Sequence, residues 1–205
     1  YPVIPWASYE SLQQKFSRST QKNIRRARRK GYTSSIQSSL SGDYFRQVYA
    51  LYVKHMKKAR GFIFPKFFFR EFLKLTEGKV MLIFDKEKVI AYSFFFENKE
   101  NMYFSTAGAD YNYRDDYAMY YLMDERIRYA AEKGLHMHLG TSIKGSGPAA
   151  FKSGFGAQVL SLKSFSDNER AVEQFLKIQP YVGWLMRIFS RLFPRKVLYV
   201  MMPFT

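Results

Sequence analysis

Between Lys79 and Ala109 the chain reads KVMLIFDKEKVIAYSFFFENKENMYFSTAGA, three apolar runs divided by the polar stretches DKEK and ENKEN. Runs of strand length joined by hairpin-length turns make neighbouring strands antiparallel, so this stretch is an antiparallel meander. A sheet of this kind buries its apolar side chains only if other elements cover it. The flanking sequence has the spacing to do so.

Upstream, SYESLQQKFSRSTQKNIRRARRKG reads as one helix from Ser8 to Lys30, with Ser8 as N-cap and Gly31 closing it. YTSSIQSS follows as a short strand. GDYFRQVYALYVKHMKKARGF is a helix with Phe45, Val48, Tyr49, Tyr52, Val53 and Met56 along one face. PKFFFREFLKLTEG is a second helix, with Pro65 at its start and Gly78 at its end. Downstream, YAMYYLMDERIRYAAEKG has helical spacing in Met119, Leu122, Met123, Ile127 and Ala130, and Gly134 ends it. LHMHLG is a short buried strand. LGTSIKGSGPAAFKSGFGAQV, from residue 139, is a glycine-rich loop, after which AQVLSLKSFS is a strand and NERAVEQFLKIQ is a helix. The order gives a mixed α+β domain, and no segment repeats.

With 205 residues and 47% hydrophobic content the chain buries one ordinary core, so residues 1–205 read as a single domain with a helical extension over 168–205. The first residue is Tyr1, which leaves open that this is one half of a longer two-domain chain. Absence of cysteine excludes disulfides and thiolate chemistry. No signal segment and no long apolar run is found, which points to a cytoplasmic protein. Thirty-three Lys and Arg against 17 Asp and Glu give a formal charge of +16, a field that favours nucleic acid, phosphate-bearing ligands or an acidic membrane. Arg25, Arg26, Arg28 and Arg29 end the first helix without an acid among them, either as a solvated face or as a polyanion-binding one. In residues 180–196, Arg187, Arg191 and Arg195 recur at four-residue intervals among aromatic and aliphatic residues. This stretch suits packing against protein or peripheral contact with the inner face of a membrane.

Among chemistry-bearing groups, His136 and His138 share one face of a strand, with Gly140 continuing it. Two histidines make an incomplete metal site, so no metal is expected. His138 is either a general base or a hydrogen-bonded neutral ring. Tyr103 and Ser105 alternate on the central strand and face either a cleft or the core. No GxSxG elbow is present, so a reaction without a covalent enzyme intermediate fits better.

Three stretches, SRSTQKNIRRARRKG, LYVKHMKKARGFIFPKFFFREFL and the LG…FKSGFGA of residues 139–157, resemble in order and spacing the GNAT-type acyltransferase fold. The resemblance is to its Fem-like branch, which includes the peptidoglycan-bridge aminoacyltransferases. It covers most of residues 8–165. It implies a largely antiparallel mixed sheet flanked by helices and an N-acyltransferase that moves an acyl or aminoacyl group from acyl-CoA or aminoacyl-tRNA to an amine, on a cell-envelope precursor or a similar small acceptor. It further implies that Phe151 and Lys152 lie by the donor, with Gly154 letting backbone approach it, and that Arg60 anchors a phosphate or carboxylate. Two departures stand out. His138 occupies a position where the family often has an acid, and AGADYNYRDDYAMYYL has no glycine-rich pyrophosphate loop. The competing class is a non-catalytic nucleic-acid or membrane-binding module on the same fold.

Overall fold

A computed structural model describes residues 2–59, 63–142 and 145–159. In chain order the elements are β1 (Pro2–Ile4), α1 (Tyr9–Gln14), α2 (Arg18–Arg28), β2 (Thr33–Gln37), α3 (Gly42–Ala59) and α4 (Lys66–Lys74). The meander β3 (Gly78–Asp85), β4 (Lys88–Glu97) and β5 (Asn101–Ala109) follows, then α5 (Ala118–Lys133), β6 (His136–His138), α6 (Gly147–Gly154) and β7 (Gln158–Val159). The strands form one sheet in the order β2-β3-β4-β5-β6-β1-β7. Every pairing is antiparallel except β5 with β6. The α+β class and the mixed, largely antiparallel sheet expected from the sequence are therefore present.

Both faces of the central strands are covered, which is why β3 and β4 read as almost unbroken apolar runs. On one face Ile24 and Ala27 of α2, Leu122, Ile127 and Ala130 of α5, and Met81, Ile83, Phe95 and Met102 of the sheet form one core. On the other face, Phe45, Val48 and Tyr52 of α3 and Phe69 and Phe72 of α4 pack on Val80, Leu82, Tyr92 and Phe94. Burying side chains of this size contributes about 1.5–3 kcal/mol each, which fixes the register of every long strand.

Four local readings are corrected. The stretch from Ser8 to Lys30 is two helices, because Ser17 takes an extended conformation and its side chain accepts from Thr20 N, starting α2 afresh. Ser8 caps α1 as expected, accepting from Ser11 N. Gly78 opens β3; α4 ends at Lys74, with Leu75 extended behind it. The glycine-rich segment contains a helix, α6, whose start is capped by Ser146 Oγ accepting from Ala149 N and favoured by Pro148 in its first turn. Finally, Pro2–Ile4 is a strand lying between β6 and β7, where no element was expected. Only Gln158 and Val159 of the AQVLSLKSFS strand fall within the described residues, and the 168–205 extension falls outside them.

Candidate functional site

α5 connects the only parallel pair among the described strands, and ligands of such units enter at the carboxyl ends of the strands. There the two strands separate. β5 pairs with β6 only through Asn101, Met102 and Tyr103, while it pairs with β4 as far as Ala109. At the same level the β4 register slips, with Phe94 opposite Thr106 and Phe95 opposite Phe104, so Ser105 is the extra residue of a bulge. A bulge bends and twists its own strand. Beyond Tyr103, one edge of β5 has no strand partner among the described residues, and the chain after His138 turns away.

Successive residues on β5 point to opposite faces. Tyr103 points away from the α5 layer, partly exposed, and its ring stacks on that of its register partner His138 at 4.5 Å and 20°. His138 Nε2 lies 2.7 Å from Asn101 Oδ1, which fits Nε2–H donating and the lone pair residing on Nδ1. Burial pulls the His138 pKa down, with His136 adding to the effect, so the ring is neutral near pH 7. His136 is exposed, and its Nδ1 accepts from Trp6 N at 3.1 Å.

Phe104 points into the α5 layer, and two cations converge on it. The Arg126 guanidinium stands 5.3 Å from the ring centroid and the Lys152 ammonium 5.9 Å. Lys152 reaches back from α6 to the turn after β6, donating to Ser142 Oγ at 2.7 Å, Thr141 O at 3.1 Å and Gly140 O at 3.3 Å. These acceptors match the three protons of an ammonium. Burial, and then Arg126, lower its pKa. Gly140 adopts a left-handed φ of +69°, and a Cβ there would sit 3.0 Å from Phe104 Cδ1, so the turn requires glycine on both counts.

The other expected residues fall in several places. Phe151 packs in a ring cluster with Tyr120 and Phe155, each at 5.1 Å, and Phe16 meets Phe155 at 5.2 Å; these contacts seat the end of α6 against α5 and the link between α1 and α2. Gly154 faces α2: a Cβ there would lie 2.6 Å from Thr20 Oγ1, and Gly154 O accepts from Ser17 N at 2.9 Å. Its bareness serves helix packing. Arg25, Arg26, Arg28 and Arg29 are all exposed on α2, yet Arg28 pairs with Asp124 and Glu125, and Arg26 donates to Tyr117 OH at 2.7 Å. Arg28 thereby joins α2 to α5. Arg60 lies outside the described residues.

Arg126 was not among the expected site residues. It is 3% exposed, and neither Nε nor Nη2 has a hydrogen-bond partner among the described residues. Nη1 meets only Met123 Sδ, at 4.0 Å, a weak acceptor. Burial pulls its pKa down to about 9, which still leaves it charged at neutral pH. The signal was readable: position 126 follows Leu122 by four and Met123 by three, on the apolar face of α5. Among the described residues, no three His, Cys, Asp or Glu side chains gather as a metal site, and no helix is long and apolar enough to cross a membrane.

Solved structures with the same fold include FemX (TM-score 0.66, 12% identity), where 77% of this chain aligns with 58% of that one. L-PGS from Bacillus licheniformis gives TM-score 0.60 at 13% identity, over 87% of this chain and 63% of that one. An aminoglycoside acetyltransferase from an uncultured soil metagenomic sample, in complex with sisomicin, gives TM-score 0.51 at 12% identity, over 67% and 97%. At such identities the likeness is one of fold. The chain spans less than two thirds of the length of FemX and of L-PGS. Among curated proteins, none matches by sequence. Residues 18–153 match the family model described as acetyltransferase (GNAT) domain, a span that runs from α2 through β5, α5 and β6 to Ser153 of α6. The chain belongs to the GNAT acetyltransferase family.

Proposed function

We propose that this protein is an N-acyltransferase that carries an acyl or aminoacyl group from a phosphate-bearing donor to an amine at the carboxyl ends of β5 and β6. The observation that carries the reading is the divergence of that parallel pair at the Ser105 bulge, with Lys152 on one side and the Tyr103–His138 stack on the other. Membership of the GNAT family supports the reaction class.

The amine nitrogen attacks the donor carbonyl; a C–N bond forms and the C–S bond of a thioester, or the C–O bond of an aminoacyl ester, breaks. The proton lost from nitrogen passes to a base and finally to the leaving sulfur or oxygen. Neutral His138, stacked on Tyr103, suits the base by its protonation state, and it acts once its ring turns to present Nδ1, which is buried while Nε2 is held by Asn101. Lys152 supplies a fixed positive charge for the developing oxyanion. Donor phosphates suit the first turn of α5, whose N-cap residue Tyr117 makes no side-chain capping bond and where Arg26 stands over the Tyr117 ring at 5.6 Å. Acyl-CoA and aminoacyl-tRNA both meet this description. The resemblance noted in the sequence supports an amine on a cell-envelope precursor as acceptor.

Native mass spectrometry of wild type and Lys152→Ala with acetyl-CoA and with aminoacyl-tRNA tests the reading. Retention of one donor, and product formation cut ~10²–10³-fold in the variant, is the expected result. A tRNA donor held by six phosphate contacts loses ~10³-fold in affinity between 50 and 200 mM salt; acyl-CoA loses less. Binding of a polyanion with no product from either donor overturns the transferase reading.

A further inference from the structure

Buried guanidinium groups are almost always paired, because an unpaired charge in a dry interior costs several kcal/mol. Arg126 departs from that rule in a specific way. The two nitrogens without partners among the described residues, Nε and Nη2, carry the N–H groups of a single edge of the guanidinium plane. That edge presents two parallel donors and matches a carboxylate side-on. We propose that Arg126 is the recognition site for a carboxylate on one of the two reactants, bound through Nε and Nη2 beside Phe104.

Lys152 narrows the choice of anion. Its ammonium stands beside the same ring and adds a second positive charge, yet its three protons are already directed at Gly140 O, Thr141 O and Ser142 Oγ. It contributes field without a free donor. One two-donor edge satisfies the two oxygens of a carboxylate, whereas a phosphate would bring further oxygens and up to two charges with no donor to meet them. Phe104 and Lys152, the ring and the ammonium beside the guanidinium, are both only partly buried, so a ligand reaches Arg126 by displacing these two side chains. The inference rests on the proposed transferase reading only for the statement that the carboxylate belongs to a reactant.

The test uses the full chain and four probes: N-acetylglycine, its uncharged amide, inorganic phosphate and acetyl-CoA. In wild type, N-acetylglycine at about ten times its Kd raises Tm by about 3–6 °C, while the amide does not. Arg126→Met abolishes the carboxylate-dependent rise, and Arg126→Lys, which keeps the charge and loses the fork, leaves it at least ~10-fold weaker in affinity. No carboxylate-dependent rise in wild type, or a rise that survives in Arg126→Met, overturns the site. A rise with phosphate in place of N-acetylglycine overturns the carboxylate assignment. Should Arg126→Met not fold, the wild-type and Arg126→Lys comparison decides. Acetyl-CoA separates the two readings. If it binds while N-acetylglycine has no effect, the transferase reading stands and the carboxylate site falls. If N-acetylglycine binds while acetyl-CoA does not, and aminoacyl-tRNA is not retained in the native mass spectra either, the site stands and the reaction assignment fails.

Discussion

Asp124 and Arg126 sit two residues apart on α5, and both are almost fully buried, at 0% and 3% exposure. Asp124 is completely answered. Tyr9 OH donates to its Oδ1 at 2.5 Å, and Arg28 of α2 pairs with Oδ2. Burial and the bond to Asp124 push the Tyr9 pKa up to about 12, so the phenol keeps the proton it donates. Arg126 has its carbon stem and ring neighbours but, among the described residues, no acceptor for one whole edge. The two charges on one helix thus divide: the first joins α1, α2 and α5 into a unit, and the second is left for something that arrives from outside. Burial alone does not tell a structural charge from a functional one; the completeness of its partners does.

Replacement of the two residues separates these roles by sign. Asp124→Ala removes the acceptor of Tyr9 and Arg28 and lowers stability by about 3 kcal/mol, at the low end for a broken buried pair because water can reach the partly exposed Arg28. Urea unfolding measures this, and a loss below ~1 kcal/mol breaks the comparison. Arg126→Met replaces an unanswered charge by an apolar side chain of similar length and raises stability by about 1–3 kcal/mol. A loss of stability in the same assay makes Arg126 a structural residue after all. The smallest effect concerns pH. Burial depresses the pKa of His138 and of His55 below 6.5 in the fold, so the unfolded chain binds more protons between those lower values and 6.5. Stability is fully present above about pH 6.5 and is lost as pH falls through the folded pKa values. His138→Gln flattens part of that decline, and an unchanged profile in the variant assigns it to other groups.

How much of this was legible in the sequence follows from the length of each signal. The meander was readable because β3, β4 and β5 each extend over eight residues or more. β1 was not, since a three-residue strand with only Val3 and Ile4 between two prolines offers no alternation, and its partners lie far along the chain. The break at Ser17 and the start of α6 at Ser146 are both cap signals. Helical spacing obscured the first, and surrounding glycines obscured the second. The resemblance implied that Phe151 and Lys152 lie by the donor; the geometry seats Phe151 among Tyr120 and Phe155 and holds Lys152 at the turn that Gly140 makes. Arg126 was lost in the run Asp124-Glu125-Arg126-Ile127-Arg128, where charge suggests solvent. Only the position of 126 on the apolar stripe distinguishes it from Glu125 and Arg128.

The placement of β1 has a consequence for how the molecule is made. Its two neighbours, β6 and β7, lie about 135 and 155 residues further on, with Val3 opposite both His138 and Gln158. On a ribosome adding roughly 5–20 residues per second, the chain emerges with this strand roughly 10–30 s ahead of its last partner. The meander and the two helices covering one of its faces have every residue they need long before then. Synthesis therefore produces a half-built sheet whose β1 segment waits, apolar and unpaired, and joins only as the residues of β6 and β7 arrive.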